Sequence, residues 1–522
     1  GSNLAVNYRL KLKNIKRISL DEKQSRTYCF AYYGEKDDEP ALPFRNAFCG
    51  QDMWGYCNGN PTSNDAIKIS RLFPTLKKIN FQDNESITMG GLSGQFDVTK
   101  ALPFPQGSNR EVSAKYAHAY SLKRITYPTG RSSLFEYEPN DYYYAGSRIV
   151  GLSYAGGLRI RKITHIGENG ISLSQKYEYS KENNVGAAIS TGVLTNVPMH
   201  IVQKPLLLIG SKVGAPLYDI FLKFSSNSFT PAYTVGGDYI GYEEVTEITS
   251  EGKTVYGFTT SKNAAQNYGV NLLLQLGADY FENYASAPYP AVYSKGDSWY
   301  LYEPTPNGFY GNTYQRGLLT FKGIYDNKGQ LVRKESYKYT DTLIRNLYGL
   351  EPFWFYQNNE TAVVKQHASA SMYKIPVGKS VKTSTESIEY RNGVAMRQVQ
   401  RYSYNAYDLP SKTVAIYNDG DSTIATTNYP SELEYGVYPI MSSKRILAYP
   451  VETIINHGGK AYDMRLKTYE ENKGMYLPME EYVLTLNKLA SIVAYNGKNR
   501  DVHYAIPDLK AVSYTHLTLP TS

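Results

Sequence analysis

Cysteine, tryptophan and histidine are scarce in this 522-residue chain, at three, three and seven residues. Cys29, Cys49 and Cys57 match neither a zinc ribbon nor a disulfide-dense small domain. They allow one bridge, Cys49–Cys57, in an oxidising compartment, with free buried thiols as the alternative. The histidines are His118, His165, His200, His367, His457, His503 and His516. None stands three to five residues from another, which excludes the helical zinc motifs. Gly-x-Ser-x-Gly is missing; the nearest approach, Gly151-Leu152-Ser153-Tyr154-Ala155, lies between strand patterns with no helix to follow it. Phosphate loops and dinucleotide fingerprints are missing too. No apolar run reaches the ~18 residues a membrane-spanning helix needs. Basic residues are in excess, with a net charge of +8, yet they are spread along the chain. Arg9, Lys11 and Lys13 alternate with Tyr8, Leu10 and Leu12, the pattern of a solvated strand face, so nucleic acid is not an expected partner. Glu243 and Glu244 sit on opposite strand faces and cannot share a glycosidic bond. Asp326-Asn327-Lys328-Gly329 and Asn418-Asp419-Gly420-Asp421 are too short for a calcium ligand set and read as turns. The expectation is no catalytic residue, no metal and no cofactor.

What the chain has is tyrosine, 51 residues of it, a strand-favouring side chain with an apolar ring and a polar tip. The stretch from Leu122 to Tyr179 shows how it is used. In Phe135-Glu136-Tyr137 and Tyr177-Glu178-Tyr179 the aromatics take one strand face and the glutamate the other. Pro128-Thr129-Gly130 and Gly167-Glu168-Asn169-Gly170 supply the reversals. Further hairpins are expected at 240–258, at Tyr325 to Tyr339, and around Asn392-Gly393, a strong two-residue turn signal. Aromatic-x-aromatic triplets recur at 30–32, 135–137, 177–179, 337–339 and 402–404. The fold class expected is all-β: antiparallel hairpin repeats in a large curved or spiralling sheet, with little helix. One helix is expected near 264–284, where Leu272, Leu273, Leu276, Tyr280 and Tyr284 keep near-helical spacing.

Periodicity divides the chain into residues 1–195, a hairpin region; 196–320, less regular; 321–510, the most repetitive; and a tail, 511–522, read as not native. The segment 60–120, rich in Gly, Asn, Ser and Pro, reads as loops with short strands. A signal for export is not visible in a chain that opens on Gly1-Ser2.

Two places carry candidate ligand contacts. In the loop Gln51–Gly59, Trp54 and Tyr56 can stack under a sugar ring while Asp52 accepts a hydroxyl. Alternatively, Trp54 plugs the core and Asp52 caps backbone amides. Tyr142, Tyr143 and Tyr144 form either an exposed contact patch or strand-end tyrosines packed on their neighbours.

Tyr325-Asp326-x-x-Gly329-x-Leu331 resembles the core of the YD repeat of the Rhs/YD-repeat family, and Tyr404-Asn405…Leu409-Pro410 is similar to a degenerate copy. Asp52-x-Trp54-Gly55-Tyr56, Tyr127-Pro128-Thr129-Gly130, Phe135-Glu136-Tyr137-Glu138, Gly156-Gly157-Leu158-Arg159-Ile160-x-Lys162-Ile163 and Arg316-Gly317 extend the resemblance over roughly residues 8 to 505. It implies a β-shell of an exported, surface-associated bacterial protein, toxin-associated and non-enzymatic, that carries or encloses an effector domain. Its partners would be other domains of the same longer polypeptide. A carbohydrate- or surface-binding adhesin module is the alternative.

Overall fold

The computed structural model describes residues 10–20, 24–35, 50–59, 86–89, 92–95, 110–144, 150–194, 201–208, 217–224, 239–260, 293–295, 298–300, 313–358, 364–458, 460–490 and 510–512. These are nearly all strand, paired antiparallel almost throughout, with one short α-helix. The helix expected over 264–284 and Cys49 lie outside the described residues. Cys29 is a free thiol. Of the tail, residues 513–522 lie outside them, whereas Lys510–Val512 is a strand paired with Glu481–Val483. The chain divides into two compact units, the first taking Gly1–Leu319 and two later stretches, the second Thr320–Tyr325, Gln330–Asp341 and Ser380–Ser522. The division expected at 195/196 does not separate units, because Gly192–Leu194 pairs with Ile240–Tyr242 inside the first.

The first unit is a meander. Strand β1 (Asn14–Ile18) pairs with β2 (Ser25–Tyr32), and β2 with β3 (Leu122–Thr126). Then β3 pairs with β4 (Ser132–Tyr144), β4 with β5 (Val150–Ile166) and β5 with β6 (Ser172–Glu178). The last of these pairs with Glu244–Thr249, which turns back on Gly252–Phe258. The stretch Leu122–Tyr179 is therefore four consecutive strands of one sheet. Within it each neighbour in sequence is a neighbour in space, because five-residue reversals cannot reach any other strand.

One turn closes many of these hairpins. Gly130 N donates to Tyr127 O at 3.0 Å and Tyr127 N to Arg131 O at 2.9 Å. Gly130 takes the left-handed conformation at φ 78°, which is a type I turn followed by a glycine bulge. The same pair of bonds recurs at Gly167–Ile171, Asn183–Ala187 and Tyr417–Asp421, and at Asn405–Leu409 with Asp408 in the left-handed position. The Tyr325-Asp326-x-x-Gly329-x-Leu331 motif is built on this turn. Tyr325 pairs with Leu331 across a bulge, Lys328 N donates to Asp326 Oδ1 at 2.9 Å, and Gly329 N donates to Asp326 O at 3.0 Å. Asn392-Gly393 and Lys473-Gly474, with both residues of each pair at positive φ, are the two-residue alternative.

The tyrosines are tied by their hydroxyls. Tyr137 Oη donates to Leu122 O at 2.8 Å, Tyr179 to Ile160 O at 2.7 Å, Tyr33 to Phe135 O at 2.9 Å, and Tyr404 to Lys382 O at 2.6 Å. Each ring lies along its own face while its tip reaches a main-chain carbonyl of another segment. A phenylalanine would bury the same ring and leave the tie unmade, a difference of about 1 kcal/mol each.

In the second unit the strand ending at Arg391 pairs with Val394–Tyr404, which pairs with Pro410–Ile416, then Ser422–Asn428, Glu452–His457, Lys460–Asn472 and Met475–Ala490 in turn. Its core gathers under the helix Tyr438–Ser443, where Leu433, Tyr438, Met441, Val451, Tyr469 and Tyr476 pack together. Glu452 is buried at 2% exposure and is held by Asn428 Nδ2 at 2.7 Å.

Candidate functional site

The loop Gln51–Gly59 folds on its own aspartate. Asp52 Oδ1 accepts the amides of Trp54 and Tyr56, each at 2.9 Å, and Asp52 N donates to Tyr56 O at 2.7 Å. Arg110 does not meet the carboxylate; its Nε and Nη2 donate to Asp52 O at 3.0 and 2.7 Å. Asp52 is 0% exposed, Trp54 7% and Arg110 6%. Asp52 Oδ2 and Trp54 Nε1 are buried and have no hydrogen-bond partner among the described residues. Burial pushes the Asp52 carboxyl up to about 6, against the opposing pull of the Tyr56 and Trp54 amides and the Arg110 charge.

What covers this loop is the pair Gly156-Gly157 of β5. A Cβ at Gly156 would lie 2.6 Å from Trp54 Cβ and 2.9 Å from both Asp52 Oδ2 and Tyr56 Cδ2. At Gly157, with φ +78°, it would lie 2.5 Å from Tyr239 Oη and 2.9 Å from Tyr56 Cζ. The pair also sits where the β4–β5 register shifts, between Pro139 and Asp141. The freed Gly156 carbonyl accepts from Asn140 Nδ2 at 3.0 Å and from Tyr239 Oη. Two motifs far apart in sequence thus prove to be halves of one joint.

Arg159, two residues on, anchors the next layer. Its Nε donates to Glu138 Oε1 at 2.7 Å, and Nη1 and Nη2 to the two Asp141 oxygens at 2.6 and 2.8 Å. The guanidinium lies over the rings of Tyr179 and Tyr242, 4.4 and 5.1 Å from their centroids. Nη1 also donates to Tyr242 Oη at 3.0 Å, and that hydroxyl passes its proton bond to Asn140 Oδ1 at 3.0 Å. Burial opposes the Arg159 charge, but the bonds to Asp141 and Tyr242 outweigh it and raise its pKa. Burial likewise pushes the Tyr242 phenol well above its ordinary value.

These positions decide the surface-platform expectation. Trp54 and Asp52 are enclosed and Tyr142 is 3% exposed, so no sugar ring can stack on Trp54 or Tyr142. Tyr56 is half-buried against Gly157, Tyr143 is half-buried, and the Tyr144 side chain lies outside the described residues. Asp52, Trp54 and Tyr142 are parts of a core, and the Asp52 carboxylate caps backbone amides. The reason is distance in sequence: the covering groups come from Arg110, Gly156 and Tyr239.

An open aromatic surface does exist, elsewhere. A cleft of about 1230 Å³ is bounded by Arg26, Tyr28, Tyr127, Arg131, His165 and Glu168, among others. On its floor Tyr127 Oη meets Ser133 Oγ at 3.1 Å, and Ser133 Oγ meets His165 Nδ1 at 2.8 Å. Ser133 and His165 are direct cross-strand partners. Ser133 is 1% exposed, and its bond to His165 ties the two strands. Neither this cleft nor Arg110 was flagged by the sequence. The cleft residues come from four strands and two turns, and Arg110 falls in the segment read as loop. Among the described residues no group of three His, Cys, Asp or Glu side chains is placed to hold a metal, and no helix is long and apolar enough to cross a membrane.

No protein-family model matches the chain, and no curated protein does. Solved structures align with it at low similarity, among them the following two. The crystal structure of TcdB2-TccC3 without its hypervariable C-terminal region gives a TM-score of 0.30 at 7% identity, covering 70% of this chain and 18% of that one. The crystal structure of TcdB2-TccC3-TEV gives 0.27 at 9% identity, covering 71% and 15%. The chain thus spans less than a fifth of the length of either.

Proposed function

We propose that the chain is a structural, non-enzymatic segment of an exported, surface-associated Rhs/YD-repeat-like protein, a β-scaffold that carries or encloses another domain of the same longer polypeptide. One observation carries this reading: a single turn geometry closes hairpins in both units, and the Tyr-Asp-x-x-Gly-x-Leu motif is one instance of it. Stacked hairpins of that kind bury little on their own and need a further layer, which closure or spiralling of the sheet would supply. The ties of the tyrosine hydroxyls suit a stiff wall, since each locks a ring to a neighbouring main chain.

The experiment is electron cryomicroscopy of the protein expressed from its full reading frame. The expected map shows the strands of residues 320–500 lining a hollow that holds a separately folded domain. A solid sandwich with no enclosed volume would overturn the scaffold. For the adhesin alternative, burial of Trp54 and Tyr142 removes two of its stacking rings, and the open cleft over Tyr28 and Tyr127 is a surface that would support it.

A further inference from the structure

The geometry points to the Tyr28–Tyr127 cleft as a binding site for an acidic saccharide, a sugar bearing carboxylate or sulfate groups. This goes beyond the scaffold reading and does not depend on it. The register of the meander builds the site. Arg17 is the cross-strand partner of Arg26, Thr126 pairs with Cys29 and with Ser132, and Ser133 pairs with His165, which pairs with Leu173. Cross-strand partners share a face, and residues two apart along a strand share it too. Arg17, Arg26, Tyr28, Tyr127, Ser133 and His165 therefore lie on one face of five adjacent strands.

Three features of that face select the ligand. First, the Tyr28 and Tyr127 rings meet edge to face at 6.2 Å, and Tyr28 is 37% exposed, so its ring is open to stack on a sugar. Second, the charge is unbalanced. Arg17 and Arg26 stand directly opposite each other, an unfavourable like-charge pair. Neither of them, nor the Arg131 side chain, has a hydrogen bond or ion pair among the described residues. Arg26, Arg131 and the His165 imidazole border the cleft against one carboxylate, Glu168. A bound anion would relieve the Arg17–Arg26 repulsion and take bidentate bonds from the guanidiniums. Third, the remaining lining includes the turn residues Thr129 and Asn169, whose polar side chains suit sugar hydroxyls. The volume of about 1230 Å³ exceeds the usual range for small ligands and fits an oligosaccharide.

The test is calorimetric titration of the 522-residue chain with a galacturonic acid hexamer and, in parallel, with maltohexaose and a single-stranded oligodeoxynucleotide. The acidic hexamer is expected to bind and the neutral one to bind at least about tenfold more weakly, with the difference shrinking as salt rises. Arg26→Glu and Arg131→Glu should each weaken the acidic sugar about tenfold, and Tyr28→Ala should weaken it too. Arg397→Ala, on an exposed hairpin of the second unit, should leave it unchanged. Both cleft arginines are solvent-facing, and an unchanged circular dichroism melt confirms that each variant folds. No binding of the acidic hexamer, equal binding of the neutral one, indifference to both charge reversals, or tighter binding of the oligonucleotide would each overturn the assignment.

Discussion

Replacing Asp52 with asparagine should stabilise the first unit increasingly as pH rises above about 4. The carboxyl is enclosed, receives two amide bonds on Oδ1 and, among the described residues, none on Oδ2, and is pushed up to about 6 from an ordinary 3.8 by burial before any other influence. Between those two values the folded chain holds a proton that the unfolded chain has released. The stability this group contributes is therefore full below pH 3.8 and lost as pH rises through about 6. The gap of roughly two pH units corresponds to about 3 kcal/mol. Asparagine keeps the Oδ1 acceptor and carries no charge, so it behaves as a permanently protonated Asp52. Any strain from its amide against Gly156 adds a constant offset. The assay is urea unfolding followed by Trp54 fluorescence, with Trp299 and Trp354 replaced by phenylalanine, from pH 4 to pH 8. The difference between Asp52→Asn and the parent should grow in favour of the variant by about 2.5 kcal/mol across that range, most of it between pH 4.5 and 6.5. A difference that stays flat with pH would refute the argument, because it would mean that the buried carboxylate finds compensation on ionising.

Two other expectations follow from the same joint and from the tyrosine ties. Gly156→Ala places a methyl group 2.6 Å from Trp54 Cβ and should cost at least about 1–3 kcal/mol by overpacking, read as a fall in the urea midpoint with the Trp54 emission shifted to the red. Tyr404→Phe removes the bond to Lys382 O and should cost about 1 kcal/mol in the second unit, measured as faster hydrogen exchange of the Lys382 peptide; unchanged exchange would show the tie to be idle.

Much of the hairpin architecture was legible because its information is local. Pro128-Thr129-Gly130 and Asn392-Gly393 contain the residues that tolerate the required φ, and the alternating aromatics beside them set the strand faces. Lys473-Gly474 was less legible, since a lysine at φ 50° gives no turn signal of its own. Asp408 replaces the expected glycine in the Asn405 turn, which is why that copy of the motif looked degenerate. The Asp52 loop went the other way. Its tryptophan, tyrosine and carboxylate are the chemistry of a sugar platform, and only distant residues show that they are enclosed. Gly156-Gly157 was visible as a motif, but nothing near it in sequence names Trp54 as the side chain that needs the room. The Tyr28–Tyr127 cleft was hidden for a related reason: its members are unremarkable singly and meet only through the register of five strands.

Because most strands pair with the ribbon just before them, assembly can proceed from one end, each new hairpin docking as it leaves the ribosome. The Asp52 joint breaks that order. Its loop must stay open until Gly156 and Tyr239 have been made, leaving Trp54 uncovered for that interval. A chaperone or a protease meeting the nascent chain would find that indole first, and the late closure over it would mark the moment the first unit becomes resistant.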